Sequence, residues 1–178
     1  TVTLVSTTSM PTPHGVADRV QVATAAEMAH AVLGRADDLD VIVMAAAVAD
    51  FRPAQAASGK IKKDAGPPDI ELEPTVDILA ALGQAKRPGQ VLVGFAAETS
   101  DVRHHALGKL ERKRADLIVA NDVAAPGVGF EHDTNAVTIF GTGGFEVAVP
   151  LSEKHEVARA VLDAIMITRT TRLPEESP

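Results

Sequence analysis

Residues 45–63 read AAAVADFRPAQAASGKIKK, an apolar run that passes through Asp50, Phe51 and Arg52 into Lys60, Ile61, Lys62 and Lys63. In an extended segment side chains alternate, so Lys60 and Lys62 share one side and Ile61 anchors the other. Two ammonium groups on one side suit a phosphate chain; the same lysines also suit a solvated loop. Asp50 follows an apolar run, where a carboxylate can accept from an amino group, hold a cation or close an Asx turn. Phe51 offers a flat face to a nucleobase, or a plug for its own loop. Every aromatic residue of the chain is a Phe, and there are only five, so one outside a core pattern is informative.

Other candidates are weaker. Lys109 and Lys113 are four apart and share a helical face, as on any solvated helix end. His104 and His105 lie about 100° apart on a helix and do not form a chelating pair. Neither His30 nor His155 has a ligand partner at helical spacing, so no structural zinc is expected. The cluster GTGG, residues 141–144, sits between alternating strands and precedes no helix, which makes it a hairpin turn rather than a phosphate loop. A dinucleotide fingerprint needs glycines after the first strand, and Ser6-Thr7-Thr8-Ser9 stands there instead.

The elements that must position these groups are legible in part. Val2–Val5 and Arg19–Val22 read as short strands. Thr24 with Glu27 three residues on is a capping box before a helix with Met28, Val32 and Leu33 on its apolar stripe. VIVMAAA, VLVGFAAE and DLIVAND read as buried strands covered on both faces, as in a parallel sheet. DIELEP is a further strand and VDILAALGQA a short helix. Residues 101–114 suit a helix, with Asp101 early and Lys109, Arg112, Lys113 and Arg114 late, complementing its dipole. NAVTIFGTGGFEVAVPL is a hairpin, and a last helix spans 152–167. The result is an α/β fold with a mostly parallel sheet and a C-terminal antiparallel hairpin. Ligands in such folds lie beyond the carboxyl ends of the strands. Four strand ends carry unusual chemistry, namely Ser6 to Ser9, Asp50 with Phe51, Phe95 to Thr99, and Asn121 with Asp122; they are expected to converge on one sheet edge.

The 178 residues, 46% of them hydrophobic, suffice for a single domain, here residues 1–170 with a frayed tail over 171–178. A net charge of -7 argues against a general nucleic-acid binder. The absence of cysteine removes disulfides and thiolate chemistry together. Apolar runs such as Val41 to Ala49 are too short to cross a bilayer. The expectation is a soluble cytoplasmic protein with no nucleic-acid or membrane partner.

Several longer motifs appear in one order: AAAVADFRP followed by KIKK, then VDIL, GFAAET, KRADLIVANDV and NAVTIF. In sequence and spacing they resemble phosphopantothenoylcysteine synthetase of the bacterial, CTP-dependent type. In many bacteria that enzyme is the C-terminal half of a bifunctional coenzyme A biosynthesis protein, fused to a flavin-dependent decarboxylase domain. The resemblance implies a Rossmann-like three-layer sandwich and a homodimer. It also implies a ligase that joins 4'-phosphopantothenate to L-cysteine through an acyl-cytidylate, with CTP and Mg²⁺. Carried over by position, Lys60 corresponds to the catalytic lysine. Asp50, with backbone groups around Ala47 to Phe51, resembles the part that reads the cytosine amino edge. Phe95, Lys109 and Lys113 correspond to nucleotide contacts, and Asn121 lines the pantothenate or nucleotide side. Asp77 takes the place of an acidic residue near metal and phosphates, although the family usually has Asn-Pro before it and this chain has Thr75-Val76.

The family also places a glycine-rich βα unit and an Asn-containing loop ahead of the strand that is VTLVS here. Neither is in this sequence, so impaired or absent turnover is expected of these residues alone. Two other readings compete. An NAD(P)-dependent Rossmann oxidoreductase is disfavoured by the missing glycine fingerprint. A non-catalytic nucleotide-binding or dimerisation module predicts CTP binding that persists without chemistry.

Overall fold

In the computed structural model, residues 1–55, 59, 69–122 and 132–171 are described. In chain order they form β1 (Thr3–Ser6), β2 (Asp18–Gln21), α1 (Ala25–Leu33), β3 (Val41–Met44), β4 (Phe51–Pro53), β5 (Leu72–Pro74), α2 (Ile78–Ala85), β6 (Val91–Glu98), α3 (Val102–Arg112), β7 (Leu117–Asp122), β8 (Thr134–Gly141), β9 (Glu146–Glu153) and α4 (Lys154–Thr170). They divide into two compact units, one of Thr1–Gly34 with Ala47–Ile78, the other of Arg35–Ala46 with Leu79–Pro178. No helix among the described residues is long and apolar enough to cross a membrane.

The first unit holds two small sheets. β1 and β2 pair in parallel, Thr3 opposite Asp18 and Ser6 opposite Gln21. The Arg19 guanidinium holds the connecting loop by donating to the carbonyls of Thr8 and Met10. At the start of α1 the predicted capping box is present: the Glu27 amide donates to Thr24 Oγ1 at 3.1 Å, while Glu27 Oε2 accepts from the Thr24 amide at 3.3 Å. Met28 and Val32 are buried as the stripe requires. β4 and β5 form an antiparallel ribbon; β5 lies within the strand expected over DIELEP, whereas β4 falls in what read as the long loop. The ribbon is amphipathic. Arg52 faces Glu73 on one side, and Phe51, Pro53, Leu72 and Pro74 alternate onto the other.

The second unit is built on a five-stranded sheet of order β3-β6-β7-β8-β9. β3, β6 and β7 run parallel; β8 and β9 add the antiparallel hairpin. Its turn carries Gly143 and Gly144 at φ +73° and +83°, which explains the glycine pair as turn chemistry. Alternate residues Val91, Val93, Leu117, Val119, Val137 and Ile139 pack under Val157, Val161, Ala164 and Ile165 of α4. On the opposite face Leu79 of α2 lies over Gly94 and Ile118, and α3 buries Ala106 and Leu110 along β6 and β7. Helices on both faces of one sheet make three layers. α2 and α3 meet so closely that a Cβ on Gly83 would lie 1.8 Å from the Lys113 carbonyl oxygen.

Buried polar groups fix the amino end of this sheet. Asp116 is 1% exposed; its carboxylate accepts from Lys86 Nζ at 2.6 Å and from the Leu92 amide at 2.7 Å. Gln90, also buried, donates to the carbonyls of Ala36 at 2.7 Å and Leu39 at 2.6 Å, tying the turn before β3 to the start of β6.

Two expectations need correction. The strand predicted over VIVMAAA ends at Met44, and Val43 is 43% exposed, because β3 is the sheet edge with one hydrogen-bonded neighbour. Asp101 stands at the N-cap of α3, early as expected, in a left-handed conformation with φ +43° that Asp tolerates better than most residues. The four strand ends do not all belong to one sheet, since β1 pairs with β2 in a sheet of their own.

Candidate functional site

The second unit places Asn121 near the carboxyl end of β7 and Phe95 one residue past Gly94, the partner of Met44 at the end of β3, with Lys109 of α3 against it. β6 and β7 are in register with Phe95 opposite Val119 and Ala97 opposite Asn121. The Phe95 ring packs against the core under α4, so what it offers the edge is its backbone. Lys109, half-buried on α3, donates from Nζ to the Phe95 carbonyl at 2.9 Å. An ammonium has three donors; this bond orients the group and leaves donor capacity for an anion. Lys113 caps the same helix, its amide bonded to the Lys109 carbonyl at 3.0 Å, and Gly83 is what allows α2 to approach it. Asn121 is half-buried at the end of β7. At the same edge, and unforeseen from sequence, Glu98 Oε2 lies 3.3 Å from His105 Nδ1.

The first unit brings together Asp50, Phe51 and the segment that leads to Asp77. Asp50 precedes β4 and Asp77 follows β5, and both are exposed. Thr75 joins them: its amide donates to the Asp50 carbonyl at 2.8 Å and its Oγ1 to the Ala49 carbonyl at 2.5 Å. Phe51 is 60% exposed, so it plugs nothing; it is an open aromatic face opposite Pro74. The Arg52–Glu73 ion pair at 2.7 Å is exposed on both sides, worth no more than about 1 kcal/mol. Ala47 is exposed in the stretch between β3 and β4. Lys60, Lys62 and Lys63 lie outside the described residues.

Sequence reasoning missed Thr75, Asp116 with Lys86, and Gln90. For Asp116 a signal was available: a single carboxylate directly before the apolar run LIVA requires a buried partner. For Thr75 there was none, because a Thr beside two exposed-looking segments has no distinctive pattern. A surface groove at the amino end of β7, lined by Lys86, Leu110, Glu111, Arg114 and Thr142, contains none of the predicted residues.

A parallel three-strand core with helices on both faces, and polar residues gathered at its carboxyl edge, defines an α/β protein of Rossmann-like type. More particularly, residues 1–168 match the DNA/pantothenate metabolism flavoprotein C-terminal domain, and the chain belongs to that family. The coenzyme A biosynthesis bifunctional protein CoaBC of Bacillus subtilis is 47% identical over 157 residues, covering 88% of this chain and 38% of its own length. A cysteine/cysteine sulfinic acid decarboxylase from an unknown prokaryotic organism is 42% identical over 147 residues, 83% of this chain and 41% of that protein. The crystal structure of the C-terminal domain of CoaBC superposes with a TM-score of 0.76 at 40% identity, covering 93% of this chain and 73% of that one. The chain thus spans about two fifths of the length of these curated relatives.

Proposed function

We propose that this chain is the ligase part of a coenzyme A biosynthesis protein, joining 4'-phosphopantothenate to L-cysteine with CTP and Mg²⁺. The observation that carries the reading is the Lys109 ammonium, held 2.9 Å from the Phe95 carbonyl one residue past the last β6 position paired with β3, in a chain 40% identical to the C-terminal domain of CoaBC. A cation with spare donors at the carboxyl end of parallel strands is where an α/β fold meets phosphates.

In the proposed reaction a carboxylate oxygen of 4'-phosphopantothenate attacks the α-phosphorus of CTP and pyrophosphate leaves. The amine of cysteine then attacks the acyl carbon, loses a proton, and CMP leaves as the amide forms. Activation is needed because a carboxylate is a poor electrophile until one oxygen becomes part of a good leaving group. Lys60 would stabilise charge developing on the phosphate in the first step, while Lys109 and Lys113 hold the triphosphate. Asp50 and the backbone from Ala47 to Phe51 would read the base, and Asn121 would line the acyl or nucleotide side.

Asp77 would hold Mg²⁺ together with triphosphate oxygens. Its exposed carboxylate fits an ion that keeps much of its shell as water and phosphate, and no group of three or more acidic or His side chains is assembled among the described residues. When bound, the ion supplies charge neutralisation to the triphosphate.

The apolar side of the β4–β5 ribbon, with Phe51, Leu72 and the adjacent Ile70 and Val76 all more than half exposed, supports a homodimer. A lone two-stranded ribbon is marginal in water and gains from being covered. The remainder of a relative-length protein would hold the flavin-dependent decarboxylase, in keeping with the bifunctional character of the coenzyme A biosynthesis relatives, and the whole would work in the cytoplasm.

Calorimetric titration of the full-length protein with CTP and with ATP, each with Mg²⁺, tests the reading. CTP should bind at least about tenfold tighter, roughly 1.4 kcal/mol. Equal affinities, or no binding of either, would reject it.

A further inference from the structure

One residue closes the ribbon at the end where β4 begins. Thr75 donates twice to adjacent carbonyls, through its side chain to Ala49 at 2.5 Å and through its amide to Asp50 at 2.8 Å. The far end of the ribbon is closed by an ordinary backbone bond, Ala54 amide to Glu71 carbonyl at 2.9 Å. Among the described residues of the ribbon, it is the Thr75 end that fixes two successive peptide planes.

In a planar trans peptide the N–H points away from the C=O. Drawing the Ala49 and Asp50 carbonyls onto Thr75 turns the amides of Asp50 and Phe51 the other way. The stretch then presents two neighbouring N–H donors beside one exposed carboxylate, that of Asp50. A cytosine edge offers an amino donor followed by two acceptors, the ring nitrogen and the carbonyl oxygen. An adenine edge offers an amino donor, one ring acceptor and then a C–H. The second donor has a partner only on cytosine, and a donor left unpaired on binding is the strongest means of rejecting a close analogue.

We propose that Thr75 is a positioning residue that sets the preference for CTP over ATP by holding the peptide planes of Ala49 to Phe51. This rests on the reading that residues 47–51 hold the nucleobase. Neither bond requires Thr75 to touch the ligand; it acts through the backbone it fixes.

The test compares wild type, Thr75→Val, Thr75→Ser and Asp50→Asn in the full-length protein, by calorimetry with CTP and ATP and by steady-state kinetics. Valine keeps the shape and removes the hydroxyl. Thr75→Val should lose CTP affinity by roughly 10-fold to 100-fold with ATP affinity almost unchanged, so the CTP/ATP ratio collapses. The KM for CTP should rise more than kcat falls, and Thr75→Ser should restore the ratio to near wild type. An unchanged ratio in Thr75→Val, or a Thr75→Ser variant as impaired as Thr75→Val, overturns the proposal. Should Thr75→Val not fold, Thr75→Ala carries the same expectation. If wild type prefers CTP and Asp50→Asn loses that preference while Thr75→Val keeps it, Thr75 is excluded and the nucleotide reading stands. If wild type shows no preference for CTP, the nucleotide reading fails and the role of Thr75 falls with it.

Discussion

The five-stranded sheet and the β4–β5 ribbon lie at opposite ends of a stability scale. In the sheet Val91, Val93, Ile118, Val119 and Ile139 are fully buried, and the polar groups between them are paired, Asp116 to Lys86 and Gln90 to two carbonyls. In the ribbon Phe51 and Leu72 expose 60% and 58% of their surface, and the one ion pair is solvated. The same chain therefore supplies a densely packed support for Phe95, Lys109 and Asn121, and an exposed segment for Asp50 and Asp77. Binding segments are drawn from the low-stability end of a protein because they must adjust to a ligand. Chemistry and stability should then respond to different mutations.

Lys60→Gln should have the largest effect, lowering pyrophosphate release by roughly 10²–10³-fold, as for loss of one charge-stabilising group, with the thermal midpoint unchanged. Near wild-type turnover would remove Lys60 from the mechanism. Asp116→Ala should do the reverse, since it leaves Lys86 and the Leu92 amide without their carboxylate. A cost of about 3 kcal/mol is expected, because Lys86 retains some solvent, and calorimetric melting should fall by roughly 6–12 °C. Gly83→Ala adds a methyl where the Lys113 carbonyl oxygen already lies, 1.8 Å from the new atom. It should cost about 2 kcal/mol despite the better helix propensity of Ala, measured by denaturant unfolding. Leu72→Ser should change the unfolding free energy of the subunit by no more than about 0.5 kcal/mol yet shift sedimentation toward monomer. A large loss of subunit stability there would break the contrast between sheet and ribbon.

The sheet was readable from sequence because its strands are covered on both faces and so appear as unbroken apolar runs, VLVGFAAE and DLIVAND. The hairpin was readable because two glycines must take positive φ. β5 was read within DIELEP, but its partner β4 was hidden for a physical reason: Pro53 argues against a strand and is tolerated only in a short, two-stranded element with open edges. β3 was read too long because a run of small apolar residues, Ala45 to Ala49, carries no signal that separates strand from exposed loop. Of the site, Asp50, Phe51 and Lys60 stood out by residue type and position, whereas the particular roles of every site residue, Lys109, Asn121 and Asp77 included, came from resemblance. Thr75 was invisible, since its contribution is two bonds to backbone carbonyls rather than a motif.

The most direct test of the central claim is the order of product release in the full-length protein with CTP and Mg²⁺. Pyrophosphate should appear only when 4'-phosphopantothenate is present, before any cysteine is added, and CMP should follow only with cysteine. Pyrophosphate or CMP formed without 4'-phosphopantothenate, or no turnover with all substrates present, would contradict the account.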